Sequence, residues 1–181
     1  MMKKVSVLLV IFLTILSVNP AAAQSSKCFE KGNILLNPGI GIGTRSAGSG
    51  FFWPNFIFSA DFGVHDYVSV GPYVAAAFGT NGRGALGVGA RSSFHWWQLM
   101  DDKVAKDLKQ DQFEMYFTVW LGAEIIRVKS NGNKNNAGGF DAGASLGFRW
   151  YPNANERFAF YGEWGRGPIS WTTFGATINL N

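Results

Sequence analysis

The chain has 181 residues, the length of one ordinary domain, and a formal net charge of +4. Its 23 glycines would be costly in helix interiors and its aromatic content is 15%, so the composition favours strands and turns over a helical fold. Cys28 is the one cysteine, which excludes an internal disulfide bond, and we expect its thiol to be exposed near the start of the domain. No basic stripe with interleaved aromatics indicates nucleic-acid binding.

Residues 1–23 are predicted to be a secretory signal peptide. Lys3 and Lys4 precede an apolar run of about 14 residues, and the small residues Ala21–Ala23 form a cleavage site with the cut after Ala23. A membrane anchor is the alternative, but the run is short for a span of about 20 residues. Residues 24–181 are therefore predicted to form a single domain outside the cytoplasm.

Eight segments then follow, each of which alternates apolar residues with small or polar ones. In chain order they are GNILLNPGIGIGT, PNFIFSADFGV, YVSVGPYVAAAF, ALGVGARSSFHWW, FEMYFTVWLGAEI, FDAGASLGFRWY, RFAFYGEWG and SWTTFGATINLN. A period of two is that of a β-strand, and the Gly- and Asn-rich connections between them are typical of turns. The connection QLMDDKVAKDLKQDQ, after the fourth segment, is predicted to be a short amphipathic helix or a solvated loop.

The apolar face of these strands is predicted to contact lipid. The opposite face carries too many glycines for a good solvent face, whereas a narrow barrel interior requires small residues beside large ones. A sheet that crosses a membrane must close, and eight strands form the smallest such barrel. The sequence thus predicts an all-β fold, an eight-stranded antiparallel up-and-down transmembrane β-barrel, with a secreted β-sandwich as the alternative. Aromatic residues at both strand ends fit the two membrane interfaces, and the inward-facing Trp120 is predicted to fill the lumen.

The segments FGVHDYVSVG, LGVGARSSFHW and LGFRWYPN…FYGEWG, after a cleavable signal, resemble the small eight-stranded outer-membrane β-barrels of diderm bacteria. These include the transmembrane domain of outer-membrane protein A, outer-membrane protein X and the opacity-like proteins. The sequence of these segments is most similar to Bacteroidota members of the group. The resemblance covers nearly all of the mature chain. It implies a bacterial outer-membrane location, insertion by the barrel assembly machinery, contact with outer-membrane lipid and lipopolysaccharide, and a monomer. The chain departs from the family at Asn181, where an aromatic residue often stands.

Seven charged residues fall on the inward-facing side of the predicted strands. Buried charges must be paired, so we expect a lumen charge network. Its members are Asp61, Arg91, Glu114, Glu124, Asp141, Arg149 and Glu163. Glu114 and Arg149 lie at similar depth on adjacent strands and are expected to pair. Three of the carboxylates lie toward the outer strand ends, where they form either an acidic pocket for a cation or partners for nearby arginines: Glu124, Asp141 and Glu163.

The connections at the outer ends carry cations and no acidic residues. With an exported N-terminus and an even strand number, these connections face outward. Cations pair well with phosphate, so they form a possible lipopolysaccharide-contacting rim, with plain solubility as the alternative. The rim residues are Arg45, Arg83, Lys129, Lys134 and Arg166.

The sequence does not predict an enzyme. Nucleophilic catalysis would need a serine, a histidine and a carboxylate in reach, and the two histidines, His65 and His95, lie at the inner strand ends. No His/Cys cluster indicates a metal, and the glycine runs lack the following helix of a nucleotide loop, so no cofactor is predicted. The predicted function is a non-enzymatic integral outer-membrane protein with a side-chain-filled lumen and a structural or envelope-interaction role. The alternatives are a narrow, porin-like channel for small or apolar solutes and a lipid A-modifying enzyme.

Overall fold

The computed structural model describes residues 27–44, 55–79, 84–104, 108–130, 133–152 and 157–181. The predicted signal peptide and the rim residues Arg45 and Arg83 lie outside these ranges, as do the side chains of Lys129 and Lys134.

Eight antiparallel strands form a closed barrel in which each strand pairs with its neighbours in sequence and the last pairs with the first. This confirms the predicted fold class. The strands are β1 Ile34–Thr44, β2 Asn55–His65, β3 Val68–Phe78, β4 Gly84–Phe94, β5 Phe113–Ser130, β6 Asn133–Trp150, β7 Phe158–Gly165 and β8 Ser170–Asn179. One helix, α1 Trp96–Lys103, connects β4 to β5.

The register places the apolar side chains on the outside of the barrel and the polar ones inside. On β5 and β6, Phe117 stands opposite Leu146 and both are exposed, whereas Glu114 and Arg149, which stand opposite each other three residues further along, are buried. The same alternation leaves large apolar side chains exposed on every strand. A water-soluble surface rarely carries so continuous an apolar area, so this outer surface is the lipid-facing one and the strands are transmembrane.

Inward-facing glycines make room for large rings in the lumen. A Cβ added at Gly147 would lie 2.3 Å from the ring of Tyr116, and one added at Gly39 would lie 2.1 Å from the hydroxyl of Tyr161. Glycine normally weakens a strand, but here another side chain occupies the space that its own would need. The glycines that argued against a solvent face therefore belong to the packed interior.

The barrel has two different ends. We call the end where β1 begins and β8 finishes the base, and the opposite end, where β1 finishes and β2 begins, the rim. The sequence placed Trp96 at the end of the fourth strand, but β4 ends at Phe94 and Trp96 begins α1, which lies at the base. The sequence left a short helix and a solvated loop as alternatives for this connection, and its first part, up to Lys103, is a helix. Among the described residues, no helix has the length and apolar character needed to cross a membrane.

The segment before β1 packs across the base instead of leaving it open. The Cys28 amide donates to the Gln110 carbonyl at 3.0 Å, and the Tyr151 hydroxyl donates to the Cys28 carbonyl at 3.2 Å. The ring of Phe29 stacks on that of His95, with centroids 3.6 Å apart. The prediction of an exposed thiol at Cys28 was wrong, because these bonds hold the residue inside the base, where it is only 3% exposed.

Candidate functional site

Five of the seven predicted lumen charges form one buried network. They are Asp61 on β2, Arg91 on β4, Glu114 on β5, Arg149 on β6 and Glu163 on β7, and none is more than 5% exposed. Each of these five strands contributes one residue, and each residue lies at a position of the alternation whose side chain points into the lumen. The network therefore spans the lumen between five of the eight strands.

Arg149 is the most enclosed member. Its Nη2 lies 2.9 Å from Asp61 Oδ2 and its Nη1 lies 2.9 Å from Glu114 Oε2. Its Nε donates to the Thr177 hydroxyl at 3.1 Å, and its guanidinium carbon lies 4.3 Å from the centre of the Tyr116 ring. Three hydrogen bonds and an aromatic face thus hold one planar cation, an arrangement for which arginine suits better than lysine.

Arg91 joins the same network from the other side of the lumen. Its Nε lies 3.0 Å from Asp61 Oδ1, and its Nη2 lies 2.7 Å from Glu163 Oε1. Its Nη1 donates to the Ser59 hydroxyl at 2.8 Å. Asp61 therefore bridges both arginines, and each arginine has a second carboxylate of its own.

Aromatic and small apolar side chains fill the lumen between this network and the rim. The guanidinium of Arg91 lies 4.3 Å from the Trp120 ring centre, and Trp120 meets Tyr73 edge-on at 5.1 Å. The indole of Trp120 donates to the Ser145 hydroxyl at 3.1 Å. A cluster of buried residues lies further toward the rim: Ile57, Ala75, Ala77, Ala85 and Ile169.

A chain of hydrogen bonds that the sequence analysis missed lies at the base. His95 Nδ1 contacts Glu114 Oε1, and His95 Nε2 lies 3.1 Å from the Ser69 hydroxyl. The order serine, histidine, carboxylate is that of a nucleophilic site, but all three side chains are buried, Phe29 covers the imidazole, and Arg149 holds the other oxygen of Glu114. The alternation of β3 places Ser69 inward, which could have suggested the contact. Ser93, the serine two residues before His95 in sequence, bonds to Thr118 at 2.8 Å.

An ion pair ties the first described residue to α1. Lys27 Nζ lies 2.9 Å from Asp102 Oδ1, and the Tyr67 hydroxyl donates to Asp102 Oδ2 at 3.1 Å. The hydrogen bond to Asp102 raises the pKa of Lys27 above its usual value. Burial raises the pKa of Asp102, but the bonds from Lys27 and Tyr67 outweigh it and leave that pKa below its usual value.

The two remaining predicted lumen charges, Glu124 and Asp141, lie apart from the network near the rim. They border an open cavity of about 520 Å³, which we call the notch. Arg166 Nη2 lies 3.3 Å from Asp141 Oδ1. Glu163, the third carboxylate of the suggested acidic pocket, pairs with Arg91 instead. The lining residues of the notch are Glu124, Ile126, Ala137, Gly138, Gly139, Phe140, Asp141, Arg166 and Trp171.

Of the five cations predicted to form a lipopolysaccharide-contacting rim, only Arg166 has a described side chain. Arg166 is exposed, and Lys129 and Lys134 stand opposite each other in the register of β5 and β6. Within the described ranges, no group of three or more His, Cys, Asp or Glu residues could hold a metal ion.

The closed sheet, the apolar outer surface and the polar, filled lumen define an eight-stranded transmembrane β-barrel. No protein-family model matches the chain, and no curated protein matches it. Among solved structures, the N-terminal β-barrel domain of Pseudomonas aeruginosa OprF is similar at a TM-score of 0.53 and 11% identity, covering 82% of this chain and 98% of that one. The fold is therefore that of the small eight-stranded outer-membrane β-barrels.

Two further structures match less well. A de novo designed transmembrane β-barrel has a TM-score of 0.46 and 13% identity, over 83% of this chain and 97% of its own. The attachment invasion locus protein Ail of Yersinia pestis has a TM-score of 0.45 and 10% identity, over 82% of this chain and 95% of its own. Neither score reaches 0.5, so the fold assignment rests on the first match and on the closed sheet.

Proposed function

We propose that this chain is a non-enzymatic, monomeric integral protein of the bacterial outer membrane, with a lumen closed to solutes. Export by the signal peptide of residues 1–23 and insertion by the barrel assembly machinery are part of the proposal. Its role is structural or lies in contacts with the cell envelope. The observation that carries it is the bridge from Arg91 through Asp61 to Arg149 across the lumen, in which no side chain is more than 1% exposed.

The bridge supports a closed lumen for a physical reason. A pore would need a continuous path for water, but in a barrel of eight strands side chains can fill the interior completely. The two arginines and Trp120 occupy the middle, and Phe29 with His95 occupies the base. Removing one charge from this network would leave its partner unpaired in a dry interior, so transient opening is costly.

Single-channel recording in a planar bilayer tests the closed lumen. We expect no steady conductance from the purified protein, and heat-dependent gel mobility of the same sample verifies that the barrel is folded. Regular conductance steps from heat-modifiable protein would favour the narrow channel instead.

A comparison of lipid A tests the absence of enzymatic activity. Ser69, His95 and Glu114 have the order of a catalytic chain, yet their side chains are enclosed, which supports a structural role. We expect identical mass spectra of lipid A from cells with the wild-type protein, with Ser69→Ala and without the protein. A modification that is lost in Ser69→Ala would show that the chain is an enzyme.

Cations at the rim support contact with lipopolysaccharide phosphate. We expect that alanine at Lys129, Lys134 and Arg166 together weakens retention of lipopolysaccharide during purification. Alanine at Lys103 and Lys109, at the base, serves as the control and should leave retention unchanged. Equal retention in both variants would remove lipopolysaccharide from the proposal.

A further inference from the structure

The barrel wall is much lower at β7 and β8 than at β5 and β6. β7 has 8 residues and β8 has 10, whereas β5 and β6 have 18 each. At a rise of about 3.3 Å per residue and a tilt of about 40°, β7 covers roughly 20 Å of membrane depth, less than the apolar band of about 25 Å. The strand β7 is therefore too short to cross the whole apolar band, whereas the 10 residues of β8 cover about 25 Å.

Among the described strands, β7 pairs with only part of one side of β6. Pairing with β7 stops at Ser145 opposite Gly165, followed by one bond from the Arg166 amide to the Ala144 carbonyl at 2.7 Å. Toward the rim, no described strand pairs with this side of β6. The notch lies beside this part of β6, and its lining includes the lipid-facing side chain of Phe140.

The side chains around the notch combine charge of both signs with apolar surface. Asp141 and Glu124 bring two carboxylates, and Arg166 brings one exposed guanidinium. On the lipid side, Phe140 and Trp164 are 78% and 75% exposed, the highest exposures among the large apolar side chains of the barrel strands in the described part. Phe140 lines the notch from β6, and Trp164 on β7, two residues before Arg166, stands opposite Leu146.

We propose that the notch binds the headgroup of an outer-leaflet amphiphile that carries both a phosphate and a primary ammonium group. The phosphate pairs with Arg166, and the ammonium donates hydrogen bonds to Asp141 and Glu124. The acyl chain lies over Phe140 and Trp164. The inference rests on the proposed membrane location.

Charge and donor count select this class of headgroup. A purely anionic headgroup would bring its charge beside the carboxylates of Asp141 and Glu124, and a like charge beside a carboxylate is unfavourable. A quaternary ammonium has no hydrogen to donate, so it would lose the charge-assisted bonds to Asp141 and Glu124. The ammonium and the phosphate must both be present to match the lining.

Native mass spectrometry of the full, folded protein tests the proposal. The probes are phosphatidylethanolamine, phosphatidylcholine and phosphatidylglycerol with identical acyl chains, each added to the delipidated protein in detergent. We expect phosphatidylethanolamine to bind at least about tenfold more tightly than either of the others, since the loss of even one charge-assisted hydrogen bond has an effect of about that size. Equal binding of phosphatidylglycerol would show a simple anion site and overturn the proposal.

Two variants and two controls locate the binding. Asp141→Asn and Arg166→Gln should each abolish the preference, whereas the base variants Asp111→Asn and Lys103→Gln should keep it. All four variants change exposed or half-exposed groups, and heat-dependent gel mobility verifies their folding. A preference that survives in both notch variants, or disappears in both controls, would refute the site.

Soluble phosphoethanolamine distinguishes a lipid from its free headgroup. We expect it to compete only weakly, because it lacks the chain that lies over Phe140 and Trp164. Competition as strong as that of the lipid would overturn the membrane source of the ligand. Conductance measured on the same protein separates this test from the proposed function: a conducting barrel that still prefers phosphatidylethanolamine contradicts only the closed lumen.

Discussion

Replacing Arg149 with methionine tests whether the buried charge network holds the barrel together. Methionine keeps an unbranched stem of similar length but removes the charge. The substitution breaks the ion pairs to Asp61 and Glu114, each 2.9 Å long, and the bond to Thr177. Removing one partner of a buried ion pair costs about 3–5 kcal/mol, because the other charge stays buried without compensation.

The loss of two ion pairs does not double this cost. Asp61 keeps Arg91 at 3.0 Å and the Asn37 amide at 3.0 Å, and Glu114 keeps His95. We therefore expect Arg149→Met to lower the free energy of unfolding by about 3–5 kcal/mol in total. Urea unfolding in lipid vesicles measures it, with the fluorescence of the seven tryptophans as the signal.

Two further variants decide whether the unpaired charge is the cause. Adding Glu114→Gln to Arg149→Met should recover part of the loss, since it removes one of the two buried carboxylates that lose their ion pair with Arg149. Lys103→Met, on the exposed helix at the base, should stay within about 0.5 kcal/mol of the wild type. An Arg149→Met barrel as stable as the Lys103→Met control, or a double variant less stable than Arg149→Met alone, would refute the reasoning.

Three other predictions concern packing, the lipid face and the base. Gly147→Ala should destabilise the barrel or prevent folding, because its Cβ would lie 2.3 Å from the tyrosine ring on β5, whereas Gly139→Ala meets nothing within 4 Å and should be neutral in the same unfolding assay. Leu146→Arg puts a charge near the middle of the membrane and should lower the free energy of unfolding by about 2–4 kcal/mol, measured against the same urea series. Asp102→Asn should speed hydrogen exchange at the Cys28 amide about two- to fivefold, as expected for an exposed ion pair. Because the pKa of Asp102 is lowered, the pair stabilises above the usual carboxyl pKa near 4 and is lost as the pH falls through the lowered value, so this difference should be present at pH 6 and shrink below about pH 4.

The alternation of residues along each strand predicted which side chains point into the lumen and which point outward. A change of register would move all side chains of a strand to the opposite face together, so one correctly placed residue determines the direction of the others. Glu114 and Arg149 could be paired from sequence alone, since both lie at the base ends of two consecutive antiparallel strands, at equal distances from the turn that connects them. The bridge through Asp61 could not. Contacts across the lumen depend on the stagger of the closed barrel, and no local pattern of β2, β4 or β6 records that stagger.

The base was the least predictable part of the chain. The period of two continues past Phe94 to Trp96, yet the chain turns into α1 there, because alternation alone does not show where a strand stops. The segment that contains Cys28 and Phe29 has no periodicity, and its place is set by bonds to Gln110 and Tyr151, which are more than 80 residues away in sequence. Such long-range contacts leave no sign in the segment itself.

The two ends of the barrel differ in what they leave open to other molecules. The base is closed by Phe29 on His95, and the middle by the two arginines, so a ligand could reach these groups only by disrupting the network. The notch has the opposite character: Arg166 is exposed, and the described pairing of β6 with β7 ends at Ser145 opposite Gly165. Ligand binding inside the packed lumen would break contacts that stabilise the barrel. Binding beside the short strand β7, where its pairing with β6 ends, would break fewer of them. The difference in length between β7 and β6 is therefore the feature of this chain from which we expect its function to follow.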